Sequence, residues 1–140
     1  AYEARCRKPT LFPGVTELLA AIDRKGLVWG IVTNKPQEFA EAIAASTPAM
    51  ARCAIVVGSR PGVPLKPAPD GILRALKELA LKPEQTLYTG DDRRDIEAGK
   101  AAGTSTLLAL WGYRPKDADT SLWAPDFTAS SPEDIIRLLP

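Results

Sequence analysis

Apolar runs alternate with segments of helical period along this chain, and the alternation predicts its secondary structure. Residues 15–25 place Val15, Leu18 and Ile22 at helical spacing and stop at Gly26. Residues 27–32 form a continuous apolar run, which is typical of a buried parallel strand. The pattern continues with strands predicted at 54–57, 86–89 and 105–110, helices at 36–45, 70–80, 92–102 and 132–139, and a loop at 111–127. This order predicts an α/β fold with an open parallel sheet, whose ligands bind beyond the carboxyl ends of the strands.

Composition narrows the class of protein. The 140 residues are 45% hydrophobic and 25% charged with a net charge of +1, which favours one folded domain over disorder and argues against a basic nucleic-acid surface. No apolar run approaches the roughly 20 residues of a membrane helix, so we expect no membrane partner. Cys6 and Cys53 lack metal or redox spacing, which indicates reduced thiols and a cytoplasmic location. Histidine is absent, which excludes a Ser-His-Asp triad or histidine-ligated zinc built from this chain alone.

Two predicted strands are followed by side chains that suit a phosphate. Thr33 and Asn34 follow the first strand, where a hydroxyl and the N-terminus of the next helix can hold an anion; the plain alternative is that they cap that helix. Lys66 follows the second strand between prolines, which restrict its freedom, and its ammonium can neutralise a phosphate and a carboxylate together. The plain alternative for Lys66 is a solvated loop lysine.

An acidic segment follows the third predicted strand. Asp91, Asp92 and Asp95 lie at the start of a helix, and Asp91 and Asp95 are one turn apart on one face. Carboxylate oxygens suit Mg²⁺, whereas the plain alternative is favourable charge at a helix N-terminus. The ordered set of Thr, Lys and Asp-x-x-x-Asp on one sheet edge predicts a phosphate and magnesium site more strongly than any one member.

These segments together resemble the haloacid dehalogenase superfamily, and within it the phosphoglycolate phosphatase branch. The similarity covers nearly the whole chain and is carried by residues 31–35 (IVTNK), 66–69 (KPAP) and 88–103 (YTGDDRRDIEAGKAAG), with weaker support from residues 12–15, 111–114 and 125–127. The resemblance implies a Rossmann-like three-layer α/β/α core. It also implies that residues 1–8 are the tail of the last cap helix and that residues 9–140 form part of the core.

The resemblance also implies roles for individual residues. Thr33 binds the transferred phosphoryl group with help from Asn34, and Lys66 bridges the phosphate and a nucleophilic aspartate. Asp91 binds Mg²⁺ directly, and Asp95 supports the metal through water or orients Lys66. Asp92 has a minor role at the metal. The implied substrate is a small phosphorylated metabolite.

The chain departs from the family at the first motif. No Asp-x-Asp-Gly-Thr-like run is present, and the early aspartate, Asp23, lies inside a predicted helix. We therefore expect a truncated core that lacks its central strand, the nucleophile and the cap, and that is inactive alone. Three arrangements would close this gap. The two strand edges could pair with each other, a second copy could fill the gap by strand exchange, or an additional segment could fill it.

Other functions fit parts of the pattern. A non-catalytic fragment that binds phosphate or a partner would use the same three loops without chemistry. A sugar-phosphate mutase of the same superfamily would need an acid or base in the cap. A dehalogenase uses no metal, which the acidic segment disfavours, and a receiver-like domain would carry its acidic cluster near the first strand.

Overall fold

The computed structural model of the chain describes residues 12–112, 120 and 122–140. Five helices are present there: α1 (Val15–Arg24), α2 (Gln37–Ser46), α3 (Asp70–Leu79), α4 (Arg93–Ala102) and α5 (Pro132–Leu138). Five strands accompany them: β1 (Ile31–Pro36), β2 (Val56–Ser59), β3 (Leu87–Gly90), β4 (Ser105–Ala109) and β5 (Phe127–Ala129). The predicted cap-helix tail at residues 1–8 lies outside the described residues. None of the described helices has the length and apolar character needed to cross a membrane.

The described strands form two parallel sheets. β1 pairs with β2, and β4 lies between β3 and β5. On one face of the three-stranded sheet, Leu107 packs with Leu18 of α1 and Ile135 of α5. On the other face, Tyr88 packs against an apolar cluster contributed by α3 and α4, which also contacts Val32 of β1. Parallel strands with helices on both faces confirm the predicted α/β class.

The core is centred on β4. Thr106, Leu107 and Leu108 of this strand are at most 1% exposed, because β4 has a strand on each side and helices on both faces. Gly99 brings α4 close to the strand, since a Cβ at position 99 would lie 2.7 Å from Cγ2 of Thr106. The Thr106 hydroxyl and backbone N–H both donate to the Asp126 carboxylate, at 3.1 and 2.8 Å. The buried hydroxyl and N–H of Thr106 are thereby satisfied.

Strand boundaries differ from the sequence prediction. β1 begins at Ile31 and ends at Pro36, whereas the apolar run predicted a strand at 27–32. Backbone pairing begins just before β1, because the Trp29 carbonyl accepts from the Ala54 N–H at 2.9 Å, but the apolar residues before it lie outside the strand. The strand instead includes the polar Thr33 and Asn34. β5 was not predicted, since three residues at the end of a loop carry no measurable periodicity.

The two sheets do not pair with each other in the described part of the chain. The Ile31 N–H donates to the carbonyl of Ile55, just before β2, so the backbone polar groups of Val32 point to the opposite edge, towards β3. That edge is reached by a side chain: the Tyr88 hydroxyl donates to the Val32 carbonyl at 3.0 Å. The expectation that the two edges pair directly is therefore wrong, and strand exchange and an additional segment stay predictions.

The outer edge of β2 is covered by Gln37 of α2. Its amide donates to the Val56 carbonyl at 2.9 Å and accepts from the Gly58 N–H. A Cβ at Gly58 would lie 2.6 Å from Cα of Gln37, so only glycine permits this approach. Gln37 is 8% exposed and pairs with the edge groups that a further strand would otherwise use.

Candidate functional site

Thr33 and Asn34 lie at the end of β1 and do not cap the helix that follows. α2 begins at Gln37 after Pro36 and has no side-chain cap, so the capping alternative is wrong. The Thr33 hydroxyl accepts from the Lys35 N–H at 3.2 Å. The Asn34 side-chain amide forms two hydrogen bonds with the backbone of Lys66. It accepts from the Lys66 N–H at 3.0 Å and donates to the Lys66 carbonyl at 3.3 Å. Asn34 thereby fixes the loop that carries the lysine.

The Lys66 side chain is buried between the two sheets rather than solvated. It is 13% exposed. Its ammonium donates to the Asp95 carboxylate at 2.6 Å, the Val32 carbonyl at 3.1 Å and the Tyr88 hydroxyl at 3.1 Å. These partners come from α4, β1 and β3, so Lys66 joins the loop after β2 to both sheets. The alternative of a bystander loop lysine is wrong.

Opposing effects act on the pKa of Lys66. Burial favours the neutral amine and would lower the pKa. The attraction of Tyr88 and Asp95, and the hydrogen bonds to both, outweigh burial and raise the pKa above its ordinary value. Lys66 is therefore a cation at neutral pH.

Asp95 uses both carboxylate oxygens inside the protein. Oδ1 accepts from Lys66, while Oδ2 accepts from the backbone N–H groups of Asp91 and Asp92, at 3.1 and 3.2 Å. Its side chain folds back against the strand end, where a Cβ at Gly90 would overlap it. Of the two roles predicted for Asp95, this geometry favours orientation of Lys66 over support of a metal.

Asp92 serves the helix. It is the residue before α4 and forms a capping box with Asp95. Its carboxylate accepts from Arg94 at 2.7 and 2.9 Å. Partial burial acts to raise the pKa of Asp92, but the Arg94 guanidinium and the backbone N–H groups outweigh it and lower that pKa. The plain reading of the acidic segment, favourable charge at a helix start, thus holds for Asp92.

Asp91, the predicted metal ligand, directly follows the last residue of β3. Its side chain packs closely against Gly112, since a Cβ at position 112 would overlap it. No group of three His, Cys, Asp or Glu side chains able to hold a metal occurs among the described residues. Mg²⁺ commonly binds proteins through one or two carboxylates and completes its shell with water and phosphate oxygens. A Mg²⁺ site at this strand end would rest on the Asp91 carboxylate with water and phosphate oxygens, and it stays a prediction.

Tyr88 and Gly112 belong to this arrangement and were missed by the sequence reasoning. Burial raises the pKa of Tyr88 although the Lys66 ammonium opposes the shift, so the hydroxyl is protonated at neutral pH. The strand pattern could have indicated Tyr88, because alternate residues of a strand lie on the same face of the sheet. Position 88 lies on the face that packs against α3. Gly112 carried no such signal, since its contact with Asp91 is distant in sequence.

A cleft adjoins Thr33 and Lys66 at the carboxyl ends of β1 and β2. Its empty volume, including its open mouth, is about 410 Å³. The charged side chains in its lining are Arg60, Lys66 and Arg74, against Asp70. Lys66 and Arg74 are each paired with a carboxylate, of Asp95 and Glu78 respectively, so the charges at the cleft nearly cancel.

Comparison with known proteins agrees with this geometry. The haloacid dehalogenase-like hydrolase family profile matches residues 1–109. The chain is 38% identical over 128 residues to N-acetylmuramic acid 6-phosphate phosphatase of Pseudomonas aeruginosa, and 39% identical over 125 residues to phosphoglycolate phosphatase of Xanthomonas campestris. These alignments cover 91% and 89% of the chain and 57% of each relative.

A solved structure gives the same result for the fold. A Haemophilus somnus protein described as a predicted phosphoglycolate phosphatase superposes with a TM-score of 0.88 at 25% identity. The superposition covers 98% of this chain and 61% of that protein. The chain thus spans somewhat more than half the length of the proteins it matches. It belongs to the haloacid dehalogenase-like hydrolase family, in the branch similar to phosphoglycolate phosphatases.

Proposed function

We propose that this chain carries the phosphate- and metal-binding loops of a phosphoglycolate phosphatase-like, Mg²⁺-dependent phosphomonoester hydrolase. The single observation that carries the proposal is the convergence of Lys66 and Asp95, 2.6 Å apart, beside Thr33-Asn34 at the carboxyl ends of the strands. Two relatives named as phosphatases of small phosphorylated acids and sugars support the reaction class. Phosphoglycolate is the first substrate to test.

Each residue has a part in binding. The Thr33 hydroxyl and the Lys66 ammonium hold phosphate oxygens, and Asn34 keeps the Lys66 loop in place through its two backbone hydrogen bonds. Asp95 holds the ammonium so that its positive charge faces the site. Mg²⁺, held by Asp91, would supply additional positive charge against the phosphate.

Chemistry in such a hydrolase needs an aspartate that attacks phosphorus and a second one that protonates the leaving oxygen and activates water. Asp23 fills neither role, because it lies within α1 and accepts a hydrogen bond from the Trp29 indole at 3.0 Å. The sequence has no Asp-x-Asp-Gly-Thr run. We therefore expect these 140 residues alone to bind phosphate and Mg²⁺ without turnover.

The test measures binding and turnover on the same protein. Inorganic phosphate is titrated by calorimetry, and phosphate release from phosphoglycolate is followed with Mg²⁺ and with EDTA. We expect phosphate binding and no release above the rate of a Lys66→Met variant. Release abolished by EDTA would support the hydrolase and contradict the expected inactivity. Absence of phosphate binding would contradict the proposal.

The metal assignment has its own test. Asp91→Asn should weaken Mg²⁺ binding more than Asp95→Asn, because Asp95 already accepts three hydrogen bonds inside the protein. Titration of each variant with Mg²⁺, followed by NMR, measures the difference. Equal effects of the two substitutions, or none, would show that Asp91 is not the direct ligand.

A further inference from the structure

Tyr88 occupies the space between the two sheets. Its ring packs in the apolar cluster formed by α3 and α4, and its hydroxyl reaches the edge of β1. There it donates to the Val32 carbonyl at 3.0 Å and accepts from Lys66 at 3.1 Å. Tyr88 therefore contacts the lysine to which the proposed function assigns the phosphate.

The donors of Lys66 can be counted. An ammonium group has three N–H donors and no acceptor, and Lys66 has three acceptors within hydrogen-bond distance: Asp95, Val32 and Tyr88. All three N–H groups are thus engaged inside the protein. A phosphate oxygen can bind Lys66 only by replacing one of these acceptors.

The three acceptors are not equally replaceable. The bond to Asp95 is short and joins opposite charges, which makes it the strongest of the three. The Val32 carbonyl and the Tyr88 hydroxyl are neutral and more distant, at 3.1 Å each. When the ammonium turns away from Tyr88, the tyrosine hydroxyl still donates to Val32, so no buried group of β1 loses its partner.

We propose that Tyr88 is a positioning residue for Lys66, whose hydroxyl occupies one ammonium donor and is replaced by the phosphate when an anion binds. The inference rests on the proposed function, in which Lys66 holds the phosphate. Tyr88 then has two effects: it fixes the direction of the ammonium in the free protein, and it competes with the anion.

Tyr88→Phe isolates the hydroxyl. The variant keeps the ring, which packs in the cluster and lies 5.6 Å from the ammonium. It removes the hydroxyl, which accepts from Lys66 and donates to the Val32 carbonyl, and Val32 keeps Lys66 as a donor. One Lys66 donor becomes available, so we expect inorganic phosphate to bind roughly three- to tenfold more tightly, as for loss of one competing hydrogen bond. Thr106→Val is the matched control, because it removes a buried hydroxyl from the neighbouring strand that contacts Asp126 instead.

A spectroscopic readout separates positioning from mere packing. The ¹⁵N-labelled Lys66 ammonium, assigned by its loss in Lys66→Met, is monitored for proton exchange with water. Three hydrogen bonds slow this exchange, and we expect Tyr88→Phe to accelerate it about tenfold or more, since loss of a hydrogen bond of about 1.5 kcal/mol to a charged group corresponds to that factor. Thr106→Val should leave the exchange unchanged.

The outcomes distinguish this inference from the proposed function. Tighter phosphate binding and faster exchange in Tyr88→Phe support the inference. Unchanged or weaker binding in that variant overturns it. If the wild-type chain binds no phosphate, the proposed function fails, and proton exchange of the Lys66 ammonium then tests the positioning role alone. Unchanged exchange in Tyr88→Phe overturns that role, and accelerated exchange supports it.

Discussion

The two sheets of this protein cover their strands and pair their backbone polar groups in different ways. In the β3–β4–β5 sheet, the central strand is fully covered, and Leu107 and Leu108 are at most 1% exposed. In the β1–β2 sheet, neither strand is central. Its edge groups are instead satisfied by side chains: Gln37 at the outer edge, and Lys66 with Tyr88 at the inner one.

We therefore expect the three-stranded sheet to contribute most of the stability, while the β1–β2 sheet and its loops carry much of the candidate site. The three-stranded sheet supports Asp91, which follows β3, and Asp95 in the first turn of α4. The two-stranded sheet presents Thr33 and Asn34, and the loop after it carries Lys66. Backbone groups at the edges of this sheet pair with polar side chains instead of with a neighbouring strand. The candidate site lies where the two sheets meet.

The largest expected effect is on the rigid sheet. Leu107→Ala should lower the free energy of unfolding by about 2–5 kcal/mol, because it leaves a cavity beside Leu18 and Ile135. Val57→Ala in β2 removes two carbon atoms instead of three, and it should lower the free energy of unfolding by about half as much. Urea unfolding measures both. A larger loss for Val57→Ala would contradict the view that β4 centres the core.

The next effect concerns the lysine that joins the sheets. Lys66→Met should lower the free energy of unfolding by roughly 2–3 kcal/mol, because it leaves the nearly buried Asp95 carboxylate without its cation. Lys77→Met on the exposed face of α3 is the control and should change it by less than about 0.5 kcal/mol. Equal results for the two lysines in urea unfolding would mean that Lys66 does not couple the sheets.

The same lysine predicts a pH dependence. Because the pKa of Lys66 is raised in the folded state, its contribution to stability is complete below its ordinary pKa of 10.5 and is lost as the pH rises through the folded-state value. The raised pKa of Tyr88 acts in the same direction. Unfolding free energies measured from pH 8 upward should fall in the alkaline range, and Lys66→Met should flatten that fall. An equally steep fall in the variant would contradict the assignment.

A smaller effect is expected at the outer edge of β2. Gln37→Met keeps the size of the side chain but removes the amide, leaving the Val56 carbonyl and the Gly58 N–H to water. We expect a loss of about 1–2 kcal/mol, faster amide exchange in β2 than in β4, and more aggregation through the open edge. Glu38→Met, exposed on the same helix, is the control. Unchanged exchange at Gly58 would show that Gln37 does not protect the edge.

The smallest effect is expected at Asp92. Asp92→Ala removes the capping box and the ion pair with Arg94 and should cost about 0.5–1 kcal/mol. Since Asp92 acts on the helix, phosphate and Mg²⁺ affinities should not change. A tenfold loss of Mg²⁺ affinity in calorimetry would make Asp92 a metal ligand and would contradict this reading.

The sequence predicted the alternation of strands and helices, because side-chain period follows from local pattern. It placed Thr33, Lys66 and Asp95 on one edge of a single sheet, whereas the structure places them where two separate sheets meet. It misplaced β1, since its polar end interrupts the apolar run. It missed β5, Tyr88 and Gly112. These depend on contacts between distant residues, such as the approach of Gly112 to Asp91, which no local pattern encodes. The choice of Asp95 as partner of Lys66 likewise needed the geometry.

The measurement that tests the central claim most directly is calorimetric titration of inorganic phosphate into the wild-type chain, Lys66→Met and Lys77→Met, each shown by circular dichroism to be folded. We predict binding by the wild type and by Lys77→Met, and a loss of at least about tenfold in Lys66→Met, as for removal of one charge-assisted hydrogen bond. Equal phosphate affinity in Lys66→Met and the wild type would contradict the claim that the two sheets meet at a phosphate site.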